Sequence, residues 1–585
     1  MRGTHRTPSD QGETRLPSGL TLVELRRRPW VWILVAWCIY LLHAQLFKGW
    51  IVDDAGISFA YSKNLASGYG LVSQPGALPV EGYSNFTWVV LLAPSFWVGA
   101  FDPTVTPKVV SWGLVLCTFV VMDRALARLG FGQTPSLVVL NLLAFNTSFV
   151  VWTSSGLENA LYVLAISSLL YVTLRVVRAP LRTPDAITAG LLASFIAMTR
   201  PEGILFTTPY VLIAVWAKWA DLVNAEHLKD ARLHLVWHLF TLVGTYSAFM
   251  LFRWLYFEDV VPNTYHVKGG PKLATLVDLV SLQPQVTQRL EELVASVAGV
   301  AANWLLIALI ATSTYLITIR AYTREHVVLA AFLVLTGAAY LLLPQDWMRE
   351  YRFATPFFVM LYAYTVAVVG AALRQGRTRP TIERLVERLN VTPRLYKLAG
   401  LLLIVALWAH GVVTFSGRSL TYAERPDVSF ARIQQQYTAP FNRYARALEQ
   451  DGASVLTPDI GAMLYYSELV VHDLAGLTDK TIARTRGKNQ RAFHDYVFET
   501  IKPTFIHTHA SWAMHAMFQK DRRFQRDYRP ICESFDAYVR DEFGLLLQSG
   551  NYVRRAVVEG RSVKPPSELS AGCERPKRRV DQGIR

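Results

Sequence analysis

Two adjacent carboxylates, Asp53 and Asp54, open the stretch "DDAGISFAYSKNLASGYG" directly after an apolar run long enough to reach across a bilayer. An acid at the start of a helix is a favourable cap and complements the helix dipole. Two in tandem repel each other and are costly to desolvate, which raises the pKa of one of them. At a membrane boundary, ionisable groups are functional candidates. The chemistry such a pair offers is that of a general base, taking the proton from a hydroxyl that is a weak nucleophile at neutral pH.

A leaving group would have to be held as well, and several loops carry cations suited to a phosphate. These are Arg200 in "TRPEG", His266 and Lys268 in "PNTYHVKGG", Arg349 and Arg352 in "QDWMREYR", and Lys63 on the helix that the tandem acids open. A guanidinium matches phosphate geometry, and the glycines after Lys268 allow a close approach. Polar and aromatic residues in the same loops could contact a substrate: Glu81, Tyr83 and Asn85 in "PVEGYSNFTW", Glu158 in "SSGLEN", Glu202, Asn263, Tyr265, Asp346 and Trp347. Plainer roles stand beside these. Arg200 and Glu202 could form an ion pair, Glu158 could cap the helix after it, the aromatics suit an interfacial belt, and Asn85-Phe86-Thr87 fits a glycosylation acceptor.

The elements that must position these residues are membrane spans. Of 585 residues 52% are hydrophobic and 18% charged, and the mean hydropathy is +0.24, which sets a polytopic membrane protein apart from soluble chains. Apolar runs near the ~20 residues that cross lipid recur at 30–47, 105–122, 136–152, 157–178, 186–199, 204–220, 236–256, 299–319, 326–344, 353–373 and 397–415. The fold class expected is an all-α polytopic membrane domain of about eleven spans plus interfacial helices, followed by a C-terminal α/β domain. The divisions are a cytoplasmic tail 1–29, a membrane domain 30–420 with its first external loop at 48–104, an extracytoplasmic α/β domain 421–570, and a basic disordered tail 571–585. In the α/β domain "ASVLTPDIGAMLYYSELVVHDLAGLTD" reads as strand, short helix, strand, and "KPTFIHTH" as a further strand. Asp459 and Asp473 at the strand ends read first as loop caps.

The net charge of +15 follows loop position. Arg26 to Arg28, Arg175 to Arg182, and 374–397 with seven Lys or Arg against two Glu are basic, the positive-inside pattern of cytoplasmic loops. No basic face interleaved with aromatics argues for nucleic acid. If the short segment 85–101, which carries Pro94, lies in the interface instead of crossing, all those basic loops fall inside. The loops carrying Asp53, Glu158, Arg200, Lys268 and Arg352 then face outside together with the domain after 421. The only cysteines of that domain and tail, Cys532 and Cys573, are compatible with one disulfide outside the cytoplasm. No Cys/His cluster suggests structural zinc. A divalent cation (Mg, Mn or Ca) is compatible with the tandem acids, although no acidic set is dense enough to require one.

In order along residues 49 to about 485, "DDAGISFAYSKNLASGYGLVSQPGALPVEGYSNFTW", "SGLENALY", "TRPEG", "PNTYHVK", "QDWMREYRF" and "GLTDKTIAR" resemble membrane glycosyltransferases of the C-type (GT-C) superfamily. The nearest group is that of the terminal β-1,2-arabinofuranosyltransferase of mycobacterial cell walls and its bacterial relatives. The resemblance implies an enzyme of the bacterial inner membrane that takes a sugar from a polyprenyl-phosphate donor to an extracytoplasmic envelope glycan or lipid-linked acceptor. It also implies an essential aspartate at Asp53 or Asp54 and interfacial helices over 57–66 and 85–101. The sequence departs from the group at Gly56, where an aromatic is usual, at Ala60, where an arginine is, and at Gln345, where a glycine is. Those departures leave room for a non-catalytic envelope or motility scaffold. A lipid-linked substrate transporter is disfavoured by the scarcity of charge inside the spans and the lack of repeats.

Overall fold

Length and apolarity set the first layer. The computed structural model describes residues 29–130, 134–219, 225–268, 277–278, 281, 283–298, 302–344, 346–374, 412–413, 416–531 and 550–570. Among them, six helices are long and apolar enough to cross a bilayer: Pro29–Phe47, Thr106–Ala127, Asn159–Arg178, Leu228–Phe257, Arg324–Leu342 and Arg352–Ala372. The chain is thus a multi-pass membrane protein.

The other apolar runs are shorter or bent among the described residues. The run 136–152 is a pair of helices, Ser136–Phe145 and Thr147–Thr153, bent by 72° at Asn146. Its side-chain oxygen accepts from the Phe149 N–H while its Nδ2 donates to the Tyr362 hydroxyl. Pro201 starts a 3₁₀ turn, Pro201–Phe206, and the α-helix that follows, Pro209–Ala217, has 9 residues. Thr183–Thr199 and Ala302–Thr318 have 17 residues each, and 397–415 falls almost wholly outside the described residues.

Burial separates the centre of the bundle from its rim. In an 18-residue stretch of each helix, 78% of the residues of Asn159–Arg178 and 72% of those of Arg352–Ala372 are buried, against 11% for Leu228–Phe257. The latter packs on Thr183–Thr199 and leaves Val236, Phe240, Val243 and Leu255 exposed, the apolar surface that a helix turns to lipid.

Between the first two long helices, two shorter ones fold against each other, Asp53–Ala66 and Phe86–Trp97. Ser62 Oγ donates to the Val89 carbonyl at 2.9 Å, and Ser58 Oγ to Asn85 Oδ1 at 3.1 Å. They occupy the stretches expected as interfacial helices.

The C-terminal domain is built on a five-stranded mixed sheet in the order β2-β1-β3-β5-β4. Its strands are β1 (Ser454–Thr457), β2 (Val470–Asp473), β3 (Phe505–Thr508), β4 (Tyr528–Pro530) and β5 (Gly550–Arg554). β1 runs parallel to β2 and β3, while β5 is antiparallel to β3 and β4. A short helix, Gly461–Tyr466, crosses from β1 to β2, as the alternation of that stretch predicts.

This domain is joined to the first loop by backbone. Val52 and Ser429 form an antiparallel bridge, Phe430 N–H donates to the Ile51 carbonyl at 2.9 Å, and Asp53 N–H to that of Val428 at 3.0 Å. Beside the bridge, a Cβ on Gly56 would lie 2.5 Å from the Gly461 carbonyl carbon and 2.5 Å from the Phe430 ring. Gly56 is therefore the residue that this helix contact requires, and buried Ala60 follows it one turn on, on the same face.

Candidate active site

The backbone that carries the tandem acids separates them. Asp53 and Asp54 are the first two residues of their helix, yet neither caps it: Val52 is the N-cap and no side-chain cap bond forms. Asp53 turns to the C-terminal domain. Its Oδ2 accepts from Gly461 N–H and its Oδ1 from Ala462 N–H, both at 2.9 Å. Burial, and after it the charge of Asp459, push the Asp53 carboxyl well above its ordinary range. Asp54, with 27% of its side chain exposed, faces a cavity of about 650 Å³ between the membrane helices and the α/β domain.

Arg352 enters the same cavity from the other side. Two non-glycine residues before it, Glu350 (φ 61°) and Tyr351 (φ 51°), adopt left-handed backbone, a strained arrangement that surrounding contacts must hold. Trp152 Nε1–H donates to the Glu350 carbonyl at 2.7 Å, Ser148 Oγ donates to Glu350 Oε2 at 2.9 Å, and Arg418 pairs with the same carboxylate. The result aims Arg352 Nη1 between Asp54 Oδ2 at 3.5 Å and Asp346 Oδ2 at 3.8 Å. Both separations are loose for charge-assisted bonds. The buried Arg352 Nε and Asp346 Oδ2 have no hydrogen-bond partner among the described residues.

Lys268 lines the cavity at the end of the helix Asn263–Lys268, without an ion pair among the described residues. Tyr265 and Trp347 line it too, 41% and 59% exposed, flat apolar faces of the kind a sugar ring stacks on. Asp54, Arg352, Lys268, Asp346, Tyr265 and Trp347 are thus the sequence-nominated residues brought together with open valence.

Others are committed elsewhere. Arg200, a cavity-lining residue, is buried in ion pairs with Glu158 and Glu202. The plainer reading of that pair holds, enlarged by a second acid. Glu158 stands at an N-cap without capping, because its carboxylate is taken by Arg200 and by Asn85 Nδ2 at 2.7 Å. Asn85 is buried, which removes it as a glycosylation acceptor. Glu81 pairs with Arg253 at 2.8 Å, and Tyr83 is buried edge-on to Tyr61.

Asn263 clamps the α/β domain, its Nδ2 donating to the carbonyls of Gly476 at 2.7 Å and Leu477 at 2.9 Å. Three expected phosphate cations lie outside the cavity lining. His266 Nε2 is on Asp259 at 2.9 Å, Arg349 Nε is on Asp427 at 2.9 Å, and Lys63 lies over the Tyr465 ring. Gln345, Cys532 and Cys573 lie outside the described residues.

Sequence reasoning missed a group at the cavity's α/β wall. Asp459, His507 and His509 bring one ligand atom each within 4.8 Å of one another, and Asp459 and His509 line the cavity. Asp459 is therefore more than the loop cap expected, whereas Asp473 is one: its carboxylate accepts from the N–H groups of Ala475 and Thr478, both at 2.8 Å. The available signal was the alternation in "IHTH", which puts two histidines on one face of a strand and its extension.

A family model described as a domain of unknown function, DUF8728, matches residues 429–554, the stretch that holds the whole sheet and this group. No curated protein matches the chain. Among solved structures the fold recurs in an archaeal oligosaccharyltransferase. The chain is similar to the Archaeoglobus fulgidus oligosaccharyltransferase tethered to an acceptor peptide containing the NVT sequon (TM-score 0.50, 11% identity, 85% of this chain and 72% of that one). It is likewise similar to the apo form of that enzyme (TM-score 0.50, 10% identity, 82% and 69%). ArnT from Cupriavidus metallidurans, bound to undecaprenyl phosphate, gives a TM-score of 0.49 at 12% identity over 82% of this chain and 92% of that one. At such identities the likeness is one of fold, and it does not narrow to the arabinofuranosyltransferase group.

Proposed function

We propose that the chain is an integral membrane glycosyltransferase that moves a sugar from a polyprenyl-phosphate donor to an extracytoplasmic glycan or lipid-linked acceptor of the bacterial envelope, with Asp54 as general base. The observation that carries this reading is the pairing, across one cavity, of the cavity-facing Asp54 carboxylate with Arg352, a buried guanidinium whose Nε has no hydrogen-bond partner among the described residues. The shared fold with an oligosaccharyltransferase supports glycosyl transfer in general.

In the reaction, the acceptor oxygen bonds to the sugar's anomeric carbon while the bond from that carbon to the phosphate oxygen breaks. The acceptor proton passes to Asp54. The electron pair leaves on the polyprenyl phosphate, whose charge Arg352 and Lys268 hold. Tyr265 and Trp347 hold the sugar. Gly56 and Ala60 support the scaffold alternative less than the sequence implies, because the helix contact with Gly461 accounts for the small residues there.

The test is the envelope glycan and glycolipid profile of a deletion strain. The expected result is loss of one sugar from a defined glycan, restored by the wild-type chain and not by Asp54→Asn. An unchanged profile, or full restoration by Asp54→Asn, contradicts the reading.

A further inference from the structure

We infer that Asp459, His507 and His509 form a binding site for a divalent transition-metal ion, Zn²⁺ or Mn²⁺, in the α/β wall of the cavity. The topology brings the three together. β1 and β3 are parallel neighbours, so the segment after β1, with Asp459, and the end of β3, with His507 and His509, lie side by side at the carboxyl ends of the strands, where α/β sheets place ligands. Asp459 Oδ2 lies 2.8 Å from His509 Nε2 and 3.7 Å from His507 Nε2. Metal bonds of ~2.0–2.1 Å require donor atoms about 3 Å apart, so small side-chain rotations suffice.

The second observation is the state of His507. Asn551 sits opposite it in the β3–β5 register. Asn551 Nδ2 donates to the Leu569 carbonyl at 2.8 Å, which fixes the amide and leaves Oδ1 as an acceptor toward His507 Nδ1 at 2.7 Å. The proton of a neutral His507 is thereby placed on Nδ1, and Nε2 presents a lone pair. That Nε2 is buried, has no hydrogen-bond partner among the described residues, and faces a carboxylate oxygen. Two lone-pair donors directed at each other call for a cation between them. The Asn551 contact is the outer-shell hydrogen bond that orients a ligating histidine.

Two imidazoles and one carboxylate select Zn²⁺ or Mn²⁺ over Mg²⁺ and Ca²⁺, which prefer all-oxygen sets. Three protein ligands leave coordination positions open on the side of the cavity that Asp459 and His509 line. The site stands on these residues alone and does not rest on the transfer reaction.

The experiment uses the full chain purified in detergent, stripped with chelator and dialysed against Mn²⁺ or Zn²⁺. The wild-type protein is expected to retain about one ion, and bound Mn²⁺ to show nitrogen hyperfine coupling from imidazole. Asn551→Ala should weaken binding by about 10- to 100-fold. His509→Ala removes a partly exposed ligand with little risk to folding and should abolish the nitrogen signal of that ring and weaken retention at least tenfold. No retained ion in the folded wild-type protein, or equal retention by wild type, His509→Ala and Asp459→Asn, would overturn the site.

Discussion

Successive residues of a helix point about 100° apart, and that rotation commits the Asp53 carboxylate to the 461–462 backbone at the domain junction, while Asp54 stays open to the cavity that both residues line. Asp54→Asn is expected to lower turnover by about 10²- to 10⁴-fold, the range of a lost general base, with the unfolding temperature unchanged. Asp53→Asn exchanges one of two accepting oxygens for an amide that cannot accept from the 461–462 backbone. It should cost about 1–3 kcal/mol of stability, read as a lower midpoint of thermal unfolding. The reverse pattern would exchange the roles of the two acids.

A third carboxylate reports on the α/β domain alone. Burial pushes Asp473 from an ordinary value of 3.8 up to about 6. The folded state thus holds a proton that the unfolded state has released, so stability from this group is full below pH 3.8 and is lost as pH rises through about 6. The loss approaches about 3 kcal/mol at most. In Asp473→Asn that slope is absent, and thermal midpoints of variant and wild type measured from pH 4 to 7 should shift steadily in favour of the variant.

At the scale of elements, two small residues decide how the domain docks. A Cβ at Gly56 would meet the Gly461 backbone and the Phe430 ring, so Gly56→Ala should loosen the junction at a cost of about 1–3 kcal/mol. Faster proteolytic cleavage between residues 421 and 429 would show it, and unchanged protection would refute it. The apolar runs, the first-loop helices and the β1–helix–β2 alternation were legible in the sequence because each is a local pattern. The contact between Gly56 and Gly461 was not, since it joins positions some four hundred residues apart. The same distance hid the partners of Arg349 and Arg200. Arginines in loops expected outside suggested a bound anion, but Asp427, Glu158 and Glu202 supply the anions from within the chain. Only Arg352 keeps an unanswered valence among the arginines nominated from the sequence and described by the structure.

For the whole molecule, the cavity exists because the α/β domain closes over the membrane helices, held by the 428–430 backbone, by Asp53 and by Asn263. Its walls divide the labour proposed for it: the membrane side supplies Asp54, Arg352 and Lys268, and the domain side Asp459 and His509. A donor with a polyprenyl tail fits that division, its tail among the spans and its phosphate at Arg352. The most direct test is binding of undecaprenyl phosphate to the purified full chain, followed by native mass spectrometry. One lipid should bind to the wild type and equally to Arg349→Ala, whose side chain lies outside the cavity, while Arg352→Ala should bind at least tenfold more weakly. Absence of binding, or equal binding by all three proteins, would contradict the account.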